Sequence, residues 1–127
     1  MTLEEYNGFC ASLAAATHVV QWGDHHVWKV GGKVFAIGGD EDGFSVSFKC
    51  SDISYDVLKD QPGLRPAPYL ASRGMKWIQY RSGASMDDDT LKDYLRESQR
   101  LVVLNLSRKL RSELGFSVPA GRTNARR

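Results

Sequence analysis

The side chains of this chain with the means for catalysis or metal binding are few. They are three histidines (His18, His25, His26), two cysteines (Cys10, Cys50) and two acidic runs, Asp40-Glu41-Asp42 and Asp87-Asp88-Asp89. Nucleophilic catalysis needs a base within hydrogen-bond reach of the nucleophile and a third group to orient it, and no such set is readable. His25 and His26 are adjacent, so on a strand they point to opposite faces and cannot chelate one ion together. No H-x₃-H is present and no carboxylate stands at ligand spacing around them. The cysteines make neither a CxxC pair nor a disulfide framework, and Cys10 reads as a small buried hydrophobe. Asp87-Asp88-Asp89 lacks the spacing of a calcium loop and reads as acid at a helix N-terminus, where the dipole favours it. Gly31-Gly32 and Gly38-Gly39 open no helix and precede no GxxxxGK[ST], so they are not phosphate loops. The expectation is a non-enzymatic protein with no metal and no cofactor.

The cations remain. The net charge is only +2, but residues 1–60 hold four basic side chains against nine acidic ones, and residues 61–127 hold thirteen against six. A basic second half attracts anionic partners through its summed field. A length of 127 residues points to one domain. The apolar fraction of 42% and charged fraction of 25% are those of a packed globular core. No apolar run approaches the roughly 18 residues of a membrane span, and the acidic opening Thr2-Leu3-Glu4-Glu5 is unlike a signal peptide. These features predict a soluble, cytoplasmic monomer without membrane contact.

The elements that must carry those cations follow from periodicity and turn chemistry. Thr2-Leu3-Glu4-Glu5 has capping-box spacing, and Leu3, Tyr6, Cys10 and Leu13 recur at helical spacing, which predicts a helix over 3–16. Val30-Gly31-Gly32-Lys33 is a two-residue hairpin signal, since both glycines can adopt positive φ. It joins strands at about 25–30 and 33–38. Phe44, Val46 and Phe48 alternate with Ser45, Ser47 and Lys49, so one face is buried and the other is wet. By the same alternation His26, Trp28 and Val30 point one way, and Val27 and Lys29 the other. Residues 52–60 read as a short helix, the prolines between Pro62 and Pro68 as a stiff extended connection, and 75–80 as a strand. A helical stripe from Leu91 to Leu110 predicts one long helix over 87–114, stopped by Gly115. Residues 1–118 thus form one α+β domain, a two-layer sandwich of antiparallel sheet and helices. Residues 119–127 form a flexible basic tail. Trp22, Trp28 and Trp77 read as core or pocket side chains, with base stacking as the alternative.

The segment Trp28-Lys29-Val30-Gly31-Gly32-Lys33-Val34-Phe35-Ala36 resembles the W/Y-K-V-x-x-K-x-F-A hairpin of the YjbR/MmcQ family of small bacterial proteins. The resemblance continues through Phe48-Lys49-Cys50, Pro62-Gly63-Leu64-Arg65-Pro66-Ala67-Pro68-Tyr69-Leu70 and Trp77-Ile78. It ends in the long helix, with Tyr94, Ser98, Leu101-Val102 and Leu106-Ser107-Arg108-Lys109-Leu110-Arg111. It implies a frataxin-like and secretion-chaperone-like α+β fold, and DNA binding through a "double wing" made by the hairpins. Frataxins bind iron through an acidic first helix, whereas this first helix offers only Glu4 and Glu5. The loop Asp40-Glu41-Asp42 carries the wrong sign for a wing that meets phosphate.

Two expectations follow for function. In the first, Lys29, Lys33, Lys49, Arg65, Arg73 and Lys76 hold DNA backbone phosphates with little sequence specificity, helped by Arg122, Arg126 and Arg127 of the tail. In the second, the chain is a protein-binding adaptor or chaperone-like module that uses a sheet face or an apolar groove.

Overall fold

The computed structural model describes residues 1–68, 70 and 73–116; the expected tail at 119–127 lies outside them. Helix α1 (Leu3–Ala11) begins in the predicted capping box, with the Thr2 hydroxyl accepting from the Glu5 amide and the Glu5 carboxylate accepting from the Thr2 amide. It stops five residues short of the expected end at 16. The Gln99 side chain donates to the Ala14 carbonyl at 2.6 Å, and Ala15 takes a positive φ of 58°. The alanines thereby turn the chain into β1 (Ala16–Gln21), a strand that their helix propensity conceals.

From β1 the chain meanders through β2 (His25–Val30), β3 (Lys33–Gly39) and β4 (Ser45–Lys49). Gly31 and Gly32, at φ 58° and 79°, form the predicted tight turn between β2 and β3. Helix α2 (Asp52–Leu58) leads to β5 (Leu64–Pro66), a short strand where only an extended connection is expected. It lies at the sheet edge, where a proline costs no ladder bond. β6 (Trp77–Arg81) follows, and the six strands pair antiparallel in the order β1-β2-β3-β4-β6-β5.

The expected single helix over 87–114 is two helices, α3 (Asp88–Leu104) and α4 (Arg108–Glu113). Ser107 caps α4 by accepting from the Leu110 amide. The break lays Leu106 and Leu110 against the β2–β3 turn, so closely that a side chain at Gly31 would meet both leucines. The apolar stripe runs on across the break, which is why periodicity reads it as continuous.

The helices cover one face of the sheet. Tyr6 and Cys10 of α1 and Leu91, Leu95 and Val102 of α3 pack with Trp28, Phe48, Ile78 and Tyr80 in a single cluster. The approach is close: a Cβ on Gly38 would sit 2.5 Å from the Tyr6 ring. The Ser98 hydroxyl of α3 donates to the Phe35 carbonyl at 2.7 Å and accepts from the Lys49 amide at 2.9 Å, tying helix to sheet where β3 bulges. The α+β sandwich with an antiparallel sheet is the observed architecture.

Candidate functional site

Among the described residues no helix layer covers the opposite face of the sheet, and the ladder register gives its composition. Val27, Ile37, Ser47, Gln79 and Arg65 form one row across β2, β3, β4, β6 and β5. Lys29 and Val34 stand beyond it at one end of the strands, as does the Lys49–Trp77 pair, and the Ser45–Arg81 pair lies toward the other. None of these strand positions is acidic. The side-chain parity read from β2 and β4 is the observed one, with Lys29 and Lys49 half-buried on this face. The face expected to be wet is nevertheless covered at its centre, where Val27 is fully buried and Ser47 is buried too.

Two features turn this face into a groove. The first is the segment after β5, where the Leu70 carbonyl accepts from the amides of Arg73 and Met75 and so presents Leu70, Arg73 and Met75 together. The second is the β1–β2 hairpin loop, which carries Trp22. Between them lies a cleft of about 420 Å³ lined by Trp22, Ile37, Leu70, Met75 and Trp77 and closed at the sheet end by Val102 and Asn105 of the α3 terminus. Lys33, Lys49 and Arg73 are its cations, and among the described residues it has no carboxylate. It adjoins a second, more apolar cleft of about 530 Å³ that shares Trp22, Ile37 and Leu70 and ends on Pro68, His25 and Gln79.

The six expected phosphate-binding residues divide. Lys33, Lys49 and Arg73 converge on the first cleft. Lys29 lies one strand away, beside Val34. Arg65 donates from Nε to Gln79 at 2.6 Å and sits in a polar recess with Glu41 and Asp42, so its charge is opposed locally. Lys76 places its ammonium 4.8 Å from the centre of the Tyr55 ring, outside the groove.

The tryptophans divide too. Trp28 belongs to the helix-covered core, its indole N–H donating to Asn7 Oδ1 at 2.9 Å. Trp77 is 4% exposed and floors the cleft. Trp22 is a pocket side chain and not a core one: it lines both clefts, is 59% exposed and has a φ of +55°. Positive φ costs a residue with a Cβ about 1–2 kcal/mol, and such strain persists only where the surroundings enforce it. Here His25 Nδ1 lies 2.8 Å from the Trp22 carbonyl; the carbonyl only accepts, so that nitrogen carries the proton and holds the loop.

The remaining reactive groups gather elsewhere. Burial pushes the thiols of Cys10 and Cys50 up to about 12 and about 11, so both stay protonated and poorly nucleophilic at neutral pH. His18 of β1 pairs across the ladder with Trp28 and reaches His26 of β2 diagonally, with 3.0 Å between His18 Nε2 and His26 Nδ1. Asn7 spends its oxygen on the Trp28 N–H, so its amide nitrogen faces His26 Nδ1 at 3.2 Å and that nitrogen must accept. His18 is therefore the donor of the pair. Its affinity for a further proton is lowered, first by desolvation and then by His26. Among the described residues, no three His, Cys, Asp or Glu side chains group as metal ligands would, and no helix is long and apolar enough to cross a membrane.

With this geometry in view, comparisons place the chain. A family model described as YjbR matches residues 11–101. A solved structure from Deinococcus radiodurans, described by its DUF419 domain, superposes with a TM-score of 0.77 at 20% identity, over 96% of this chain and 95% of that one. A Pseudomonas syringae protein superposes with a TM-score of 0.66 at 15% identity, over 80% of this chain and 98% of its own. At such identities the likeness is one of fold. No functionally curated protein matches at a significant level.

Proposed function

The chain belongs to the YjbR family, and on that premise we propose that it is a non-enzymatic module that binds nucleic acid through backbone phosphates on the open face of its sheet. One observation carries the reading: Lys33, Lys49 and Arg73, from two strands and a loop, line one cleft with no carboxylate among its described lining residues. Phosphate contacts of this kind position a polymer without reading its sequence, which suits a site with no recognition helix. The protonated thiols and the His18–His26 pair, whose facing nitrogens are spent on each other and on Asn7, support a binding role over a catalytic one.

The apolar stretch of the face, Ile37, Pro68 and Leu70 beside Trp22, favours a second reading, an adaptor that seats a peptide. Salt separates the two. Binding through three phosphates should weaken with a slope of log K against log salt of about −2 to −3, and K33Q/K49Q/R73Q should flatten it. A peptide held by apolar side chains should show little slope. The nucleic-acid reading fails if the wild-type protein gives no complex with either duplex or single-stranded oligonucleotides at about 50 mM salt.

A further inference from the structure

We propose that the groove takes single-stranded nucleic acid, with a base stacked on Trp22 and the adjoining phosphates on Lys33, Lys49 and Arg73; this rests on the nucleic-acid reading and names the form of the polymer. Trp22 is the observation that the core does not explain. It is 59% exposed, lies at a φ of +55° and lines both clefts. A ring kept in solvent, in a conformation disfavoured for its residue type and pinned through its carbonyl by His25, is placed for something outside the fold. The ligand's chemistry follows from what surrounds it. An exposed indole offers a π-face and apolar neighbours to a flat ring, and three cations with no carboxylate among the described lining residues favour an anion. A nucleotide unit combines both properties. At about 420 Å³ the cleft is also on the scale of small-ligand sites. Bases inside a duplex are already stacked and cannot offer a face to Trp22, whereas those of a single strand can be splayed onto it. The Asp40–Asp42 loop, which opposes a duplex laid along the hairpins, lies beyond the cleft, in the recess with Arg65.

The test is a titration of the full chain, followed by anisotropy, with labelled oligothymidine of about 12 nucleotides, a duplex of the same length, and polyglutamate of similar charge. Oligothymidine is expected to bind at least tenfold tighter than the duplex. W22G, in which glycine accepts the same backbone conformation, should weaken oligothymidine binding roughly 5- to 150-fold while W22F largely restores it. A thermal melt of W22G no lower than wild type excludes misfolding as the cause. Equal binding of single strand and duplex, or indifference to W22G, overturns this inference and leaves the phosphate-binding reading standing. Binding of polyglutamate with no binding of either nucleic acid overturns both.

Discussion

The two faces of the sheet are written on the same strands at alternate positions, and they are built to opposite standards. On the covered face, polar groups meet partners: Ser98 bridges Phe35 and Lys49, Trp28 meets Asn7, and the Tyr6 hydroxyl donates to the His26 carbonyl at 2.8 Å. On the open face, cations stand round a cleft with no carboxylate among its described lining residues, and a tryptophan is held strained in solvent. The first arrangement minimises free energy. The second retains backbone strain and gathers like charges that stability alone would disperse. The difference teaches where to look for function: not in the richest hydrogen-bond network, which here is structural, but in the residues the fold leaves in disfavoured states.

The largest effect that would test this division is on the covered face. Leu95 is fully buried beneath the sheet, so Leu95→Ala should cost about 2–5 kcal/mol in urea unfolding. The remaining folded molecules should bind oligonucleotide as wild type does; weakened binding at equal folded fraction would break the separation of the faces. Ser98→Ala should cost about 1–3 kcal/mol, because it strands a buried amide and leaves a carbonyl short of its partner; a loss well under 1 kcal/mol would show the bridge to be dispensable. On the open face the sign reverses. Trp22→Gly relieves the positive φ and should leave stability unchanged or raise it by up to about 1 kcal/mol, while binding falls. A clear loss of stability would assign Trp22 to packing.

The smallest effect concerns pH and sharpens the contrast between the histidines. His18, whose proton affinity is lowered on folding, binds protons more readily in the unfolded chain. Its contribution is therefore complete above the ordinary histidine value near 6.5 and is lost as pH falls below it. The melting temperature should drop more for wild type than for H18Q between roughly pH 7.5 and 5.5. Identical profiles would remove the pair from the stability account.

Legibility in the sequence follows the range of the interactions. The capping box at Thr2 and Glu5, the Gly31-Gly32 turn and the inside–outside parity of Phe44 to Lys49 are local, and all are readable. Strand β1 is not, because Ala14-Ala15-Ala16 favours helix until the Gln99 side chain captures the Ala14 carbonyl from 85 residues away. With β1 concealed, the His18–His26 contact is concealed too. The expected cluster of six cations shrinks to three for a similar reason. Parity places Lys49 on the open face, but Arg73 joins it only because the segment after β5 crosses to that side. Arg65 leaves it because β5 lies beyond β6 at the sheet edge, close to Gln79. The one local signal for Trp22 is its place before Gly23 in a hairpin loop, and that signal predicts a turn rather than an exposed ring.

The claim that binding belongs to the open face is tested most directly by the three indole N–H resonances, since Trp22, Trp28 and Trp77 sample the loop, the covered core and the cleft floor. On titration of labelled protein with oligothymidine at low salt, the account predicts a large shift of Trp22, a smaller one of Trp77 and none of Trp28. A dominant shift of Trp28, or saturation of binding with all three signals unmoved, would contradict it.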